Sequence, residues 1–493
     1  MNSPPLTDTP VSAAALVQMG RQPGPFVLAL DGQTDPAALL DCHEVVRAIP
    51  GRRLVCRGAW RGRDVFIKLY LDGGKHWQVE CRGLQALADK GIAAPAVLHA
   101  GTADCGALHV IVLEAIQPAV TLETALSQAH EEEARSAFLQ QAIVCIASHH
   151  CAGLEQRDIH LNNFLLAGEC LYTLDGGGIH DAGVPDLPVQ SSCDNLALFY
   201  AELYPDDDAL IEKLLPVYLQ RRAWDSEVLS LAMFYQRVQF FRDRRLRRFL
   251  KKVFRDCSAF KCQHSWRSYR VYDRTMDSAE MVEFLADPDA SLQHADVQHL
   301  KQGNTCTLWT TRVDGRQLVV KRYNIKGIKH RVGRAFRKTR AAVSWMNAHR
   351  LWMYGILTAR PVALLEERFG PLRGRAWYIS EFVAGDDASS LCGQATLDKA
   401  GQVRAGQQLT NLLAQLALSS LSHGDMKATN FILSEGGAVV IDLDAMRKHD
   451  AAESFYRAQR RDLRRFMRNW EACPETGTMF AEMMLARKLV TGL

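Results

Sequence analysis

HGDMKATNFIL, from His423 to Leu433, follows an apolar segment and reads as a loop that passes into a strand. The loop places Asn430 five residues after Asp425, with Lys427 between them. A related stretch, QRDIHLNNFLL from Gln156 to Leu166, sets Asp158 and Asn163 at the same spacing. Asp158 and Asp425 are 267 residues apart, as are Asn163 and Asn430. Asp175 in LYTLDGGGI and Asp442 in AVVIDLDAM keep the same interval. Three acid or amide positions in one register point to an internal repeat. Asp175 and Asp442 each end a short apolar run, the pattern of a buried strand that delivers a carboxylate at its tip.

Upstream the repeat continues with looser spacing. RLVCRGAWRGRDVFIKLYL turns at Arg61-Gly62 and sets Lys68 in an apolar strand. TCTLWTTRVDGRQLVVKRY turns at Asp314-Gly315 and sets Lys321 likewise, so both read as β-hairpins with a lysine on the second strand. A helical stretch follows each hairpin, and then a strand ending in an acid, HVIVLEA with Glu114 and WYISEFV with Glu381. Each copy is thus strand-rich first and helix-rich second. At 493 residues the chain exceeds one core, and the repeat divides it into two related domains. The boundary is expected near residues 276–296, giving an N-terminal extension over 1–35, a first domain over 36–285 and a second over 286–493.

Composition is that of an ordinary globular protein, 47% apolar and 23% charged. A net charge of +4 gives no reason to expect nucleic acid. The N-terminus lacks a basic segment followed by an apolar run, so no signal peptide is expected, and no window is apolar enough to span a membrane. Thirteen scattered cysteines without a CxxC pair read as reduced thiols packed as small hydrophobes. Two basic stretches, Arg242–Cys257 and Lys326–Arg340, read either as solvated helix faces or as surfaces for anionic headgroups.

Phosphoryl transfer from ATP needs these residue types in this order. A strand lysine neutralises donor phosphates, a loop aspartate orients or deprotonates the attacking hydroxyl, and an asparagine and a second aspartate offer hard oxygen ligands to magnesium. The order is the protein-kinase signature set. D-x4-N alone is weak, and a lone strand lysine is usually a snorkelling edge residue; the ordered set, in duplicate, carries the reading. The first copy supplies Lys68, Asp158, Asn163 and Asp175; the second supplies Lys321, Asp425, Asn430 and Asp442. Lys427 is placed to meet a transferred phosphate, and His160 holds that position in the first copy.

The copies differ in ways that bear on activity. Glu80, 12 residues after Lys68, can pair with it. Aligning Gly91-Ile92 with Gly355-Ile356 puts Ser344 opposite Glu80, leaving Lys321 without an evident acid. The first copy has Gln156 for His423 and DGG where a kinase has DFG, and neither copy has a GxGxxG loop. On these residues the first copy is slightly the better equipped. Asp194 and Asp462, on the helix that follows each repeat, are expected to brace the catalytic loop.

GRRLVCRGAWRGRDVFIKLYL, RDIHLNNFLL, VVKRYNIKGIKHR, SWMNAHRLWMYGILTARPVALLE and HGDMKATNFIL with VVIDLDAM resemble the bacterial lipopolysaccharide kinase family. The resemblance covers roughly residues 45–200 and 300–470 and implies an α+β fold class. Tandem protein-kinase-like domains are expected, each with a β-rich N-lobe and an α-helical C-lobe. It further implies ATP and magnesium as cofactors and a heptose or Kdo sugar of the lipopolysaccharide inner-core glycolipid as acceptor. By similarity, Asp158 and Asp425 are bases, and Asn163, Asp175, Asn430 and Asp442 are metal ligands. Lys68, Glu80, Lys321 and Lys427 serve the nucleotide. A cytoplasmic enzyme touching the anionic inner face of the inner membrane is expected. The alternatives are a protein Ser/Thr/Tyr kinase and a pseudokinase scaffold for lipopolysaccharide assembly.

Overall fold

A computed structural model describes residues 9–20, 23–33, 39–129, 131–293, 297–303, 305–324, 338–392 and 398–489. Helix and sheet are mixed throughout. Two compact units result, one of Met1–Leu203 and Asp207–Arg242, the other of Tyr204–Asp206 and Asp243–Leu493. The division falls inside the helix Leu231–Lys252.

The first unit opens with a six-stranded antiparallel sheet in the spatial order Phe26–Leu28, Leu40–Ile49, Arg53–Trp60, Arg63–Tyr70, Leu108–Glu114, Val97–Ala103. The central hairpin turns on Arg61 and Gly62, both at positive φ, the geometry that matches the right-handed twist of paired strands. One face buries Phe26, Leu40, Ile67 and Val110 around Leu16 of the helix Ala13–Met19. The helix Lys75–Asp89 buries Glu80, Gly83, Leu84 and Leu87. The helices Glu132–Cys151, Val189–Tyr200 and Ala209–Arg221 form the second half of the unit around Ile143, Phe164, Phe199 and Tyr218.

The second unit repeats this order around a seven-stranded antiparallel sheet. Its strands run Phe260–His264, Ser268–Asp273, Pro361–Phe369, Leu372–Glu381, Arg316–Tyr323, Cys306–Val313, His299–Gln302. Its hairpin turns on Asp314 and Gly315, again both at positive φ. The helix Arg340–Met353 follows, and Lys399–Leu418, Ala452–Met467 and Pro474–Ala486 build the helical half around Leu409, Phe431, Phe466 and Trp470.

Three expectations change here. The segment expected as a boundary is folded into the second unit: Met276, Met281 and Leu285 are buried against Trp309, Val320 and Ile379. Trp309 donates to Ser291 at 3.0 Å and Trp377 to Asp289 at 2.8 Å. The preceding hairpin, Phe260–Asp273, adds two strands by pairing Ser268–Tyr272 with Ala363–Glu367. Strand pairing across some ninety residues leaves no local mark in a sequence. At the other end, Phe26–Leu28 belongs to the first sheet, although it was expected in an extension. Finally, Cys392 and Cys473, 81 residues apart, form a disulfide; the other eleven cysteines are free thiols.

Gly83 of the helix Lys75–Asp89 lies so close to the loop after Asp175 that a Cβ there would sit 1.8 Å from the carbonyl oxygen of Gly176. Alanine improves helix propensity by about 1 kcal/mol, but the clash is with backbone and dominates. Gly83→Ala should therefore lower the stability of the first unit by about 1–3 kcal/mol, seen as a lower urea midpoint. An unchanged midpoint would contradict this packing.

Candidate active sites

In the first unit Lys68 sits mid-strand between Val55 and Ile111. Its ammonium group bonds the Glu80 carboxylate directly and lies 3.5 Å from Asp175 Oδ1. Glu80 is 1% exposed and also accepts from the amides of Gly176 and Gly177, each at 3.1 Å. Burial raises the Glu80 pKa, with Lys68 opposing; burial would also raise that of Asp175, but Lys68 and Glu80 outweigh it and hold it low. The Lys68–Glu80 pairing expected from sequence is present.

In the second unit Lys321 lies between Leu308 and Tyr378. Its Nζ meets Asp442 Oδ1 at 2.5 Å and Asp444 Oδ2 at 3.4 Å. Asp444 is also paired with Arg340 at 2.7 Å. Burial would raise the Asp442 carboxyl, but Lys321 holds it below the usual range. Asp442 occupies the left-handed region at φ 62°, a conformation uncommon outside glycine and frequent at functional sites. Asp444 escaped the sequence reading; the signal was available, since the 267-residue register places it opposite Gly177.

The two loops close alike. Asn163 Nδ2 donates to the carbonyl of Asp158, and Asn430 Nδ2 to that of Asp425, both at 2.8 Å. The residue before each metal-ligand candidate then bonds the asparagine's own carbonyl, Leu174 N to Asn163 O and Ile441 N to Asn430 O, both at 2.9 Å. Asn163 is thus held beside Asp175, and Asn430 beside Asp442. Each pair offers a carboxamide and a carboxylate oxygen, a donor set that suits a hard divalent cation. No cluster of three or more His, Cys, Asp or Glu able to hold a metal occurs among the described residues.

The bracing of the loops separates the copies. Asp462 accepts from the backbone amides of His423 at 2.6 Å and Gly424 at 3.1 Å. His423 Nε2 donates to Ile441 O at 3.0 Å, and its Nδ1 accepts from Asp425 N at 3.3 Å, which ties the loop to the strand that leads to Asp442. Asp194 does not brace its loop: it pairs with Arg237, including Nη2 to Oδ2 at 2.6 Å. The brace is its neighbour Asn195, whose Nδ2 donates to Gln156 O at 2.7 Å. The exact register of the repeat selects Asn195, since it stands 267 residues before Asp462. The buried side-chain amide of Gln156, in the place of His423, has no hydrogen-bond partner among the described residues.

Both candidate bases stand beside a cation. Lys427 Nζ lies 2.7 Å from Asp425 Oδ2, and Arg465 Nε 3.9 Å from Oδ1. In the first unit His160 Nε2 lies 3.1 Å from Asp158 and its Nδ1 3.0 Å from Glu202. Two carboxylates on two ring nitrogens require both to be donors, the imidazolium form. Hydrogen bonds to Asp158 and Glu202 raise the His160 pKa to about 10, against burial, and His160 lowers that of Asp158. His160 therefore should remain charged through neutral pH. Since the folded value lies above the ordinary 6.5, the stabilisation is complete below about 6.5 and is lost as pH rises through about 10. An NMR titration of the His160 ring should show no transition between pH 5 and 8; a midpoint near 6.5 would contradict the double clamp.

Comparison with known proteins reaches the second of these sites. Residues 290–485 match the model of the lipopolysaccharide kinase (Kdo/WaaP) family. No curated protein matches the chain. Among solved structures, one described as WaaP in complex with acyl carrier protein is 20% identical over 40% of this chain and 88% of that chain, with a TM-score of 0.28. Lys321, Asp425, Lys427, Asn430, Asp442 and Asp444 all fall inside the matched residues. Over residues 290–485 the chain is therefore similar to a family of lipopolysaccharide kinases, that is, of phosphotransferases.

Proposed function

We propose that this chain is an ATP- and magnesium-dependent kinase of a sugar hydroxyl, heptose or Kdo, in the lipopolysaccharide inner core. We propose further that it is a tandem of kinase-like domains, each with a β-rich N-lobe and an α-helical C-lobe, and that the second transfers the phosphoryl group. The observation that carries this is the assembly, within the family match, of Lys321, Asp425, Lys427, Asn430 and Asp442 around one closed loop. The sequence leaned to the first copy because Lys321 lacked an acid; Asp444 removes that objection.

The roles follow from chemistry and placement. Asp425, 37% exposed, is open to an acceptor hydroxyl and takes its proton as the phosphoryl group leaves ATP. Lys427 and Arg465, beside it, neutralise charge on the transferred group. Lys321 contacts the donor phosphates. Asn430 and Asp442 would hold magnesium, which when bound screens the phosphate charges.

An anionic acceptor is favoured by the helix Ala452–Met467 and the turn after it. Arg457, Arg460, Arg461, Arg464 and Arg468 are exposed there, whereas the corresponding helix Val189–Tyr200 has no Lys or Arg. Peripheral contact with an anionic membrane surface fits the exposed Arg244, Arg247, Arg248, Lys251 and Lys252; Arg242 is instead buried against Asp208. Most of the other basic stretch, Lys326–Arg340, lies outside the described residues. No helix among the described residues is long and apolar enough to cross a membrane.

Purified protein, labelled ATP, magnesium and dephosphorylated inner-core glycolipid provide the test. Label should enter the glycolipid and fall by about 10²- to 10⁴-fold in Asp425→Ala, with Asp158→Ala little affected. Loss in Asp158→Ala alone would move transfer to the first unit. Label only in protein would favour a protein kinase, and ATP binding without any transfer a scaffold.

A further inference from the structure

We infer that Asp444 is the acid that positions Lys321 for the nucleotide phosphates, in the role that Glu80 fills in the first unit; this rests on the kinase reading above. A shared tyrosine supports the correspondence of the helices. Tyr70 and Tyr323, each two residues after the strand lysine, are both buried. Burial first, and then the Glu80 carboxylate beside it, push the Tyr70 phenol up. Tyr323 meets Ser344 Oγ at 2.9 Å. Ser344 thus stands where Glu80 stands, with a side chain too short to serve an ammonium group.

The loop after the metal-ligand aspartate compensates. Position 444 corresponds to Gly177 in the register of the repeat. In the first unit the amide of Gly177 already bonds Glu80, and a Cβ there would lie 2.8 Å from Glu80 Oε2. An acid on the helix therefore leaves no room for a side chain on the loop. In the second unit the helix acid is gone, the loop position carries Asp444, and its carboxylate is 8% exposed against Lys321. The helix is spaced to suit. Where Gly83 touches Gly176 directly, Asn347 interposes its amide, donating to Leu443 O at 2.8 Å and Met446 O at 3.0 Å. Asp444 also differs from Asp442 in what it is free to do. Asp442 is the metal-ligand candidate, so a loaded site would draw it from Lys321 and leave Asp444 as the lysine's anchor.

The test uses the full chain with its first site silenced by Asp175→Asn, measuring magnesium-ATP affinity by calorimetry alongside thermal unfolding. Asp444→Asn should weaken affinity by about 10-fold or more, since with Asp442 turned to the metal it leaves the buried Lys321 cation without an acid. Asp444→Glu, which keeps the charge, should stay within about 3-fold of the parent. Adding Ser344→Glu to Asp444→Asn should restore binding by rebuilding the arrangement of the first unit. Parental affinity in Asp444→Asn would overturn the inference, as would equal losses in the Asn and Glu variants. A double variant that unfolds at the parental temperature yet binds no better than Asp444→Asn would count against it too. If the Asp175→Asn parent binds no nucleotide, the kinase reading of the second unit fails first, and the inference with it.

Discussion

An ammonium group in the middle of a covered β-strand has to be compensated. Lys68 and Lys321 are 9% and 8% exposed, and an unpaired charge at such a position would cost several kcal/mol. Each unit therefore packs a carboxylate against its lysine, and that pairing ties the sheet to the loop after Asp175 or Asp442. In the first unit the tie is Glu80, which bonds the lysine and two loop amides at once. In the second it is the loop itself, through Asp442 and Asp444, with Arg340 as a further cation. The same electrostatic demand is met from opposite sides of one interface.

The helical half answers a second demand, that the loop carrying Asp158 or Asp425 hold one shape. Buried polar groups beneath that loop need partners, and those partners become its supports. In the second unit Asp462 and His423 provide four hydrogen bonds' worth of definition between the loop, its helix and the strand leading to Asp442. In the first, Asn195 provides one bond from below, and Gln156 adds no side-chain bond among the described residues. The second loop is the more fully determined, which agrees with its lying in the family match.

Much of the candidate site was legible because its signals are local. The Arg61-Gly62 and Asp314-Gly315 turns mark their hairpins through positive φ, and each lysine strand follows from its turn. The D-x4-N loops are contiguous, and the register of the repeat links them to Asp175 and Asp442. What escaped was non-local. Phe260–Asp273 joins the second sheet through a distant strand, and Met281 is covered by residues that follow it. The pairing of Cys392 with Cys473 is a contact across 81 residues. The brace at Asn195 is hidden because an amide, not an acid like that of Asp462, holds the loop there. Asp444 is hidden because it meets its lysine from a loop, whereas Glu80 does so from a helix.

The central claim is that the second unit is a complete nucleotide site built on a relocated acid. The most direct measurement is a crystal structure of the chain with magnesium and a non-hydrolysable ATP analogue. The account predicts analogue phosphates against Lys321, the metal between Asn430 and Asp442, and Asp444 still on the lysine. Analogue found only in the first unit, or bound in the second with Lys321 turned away from its phosphates, would contradict it.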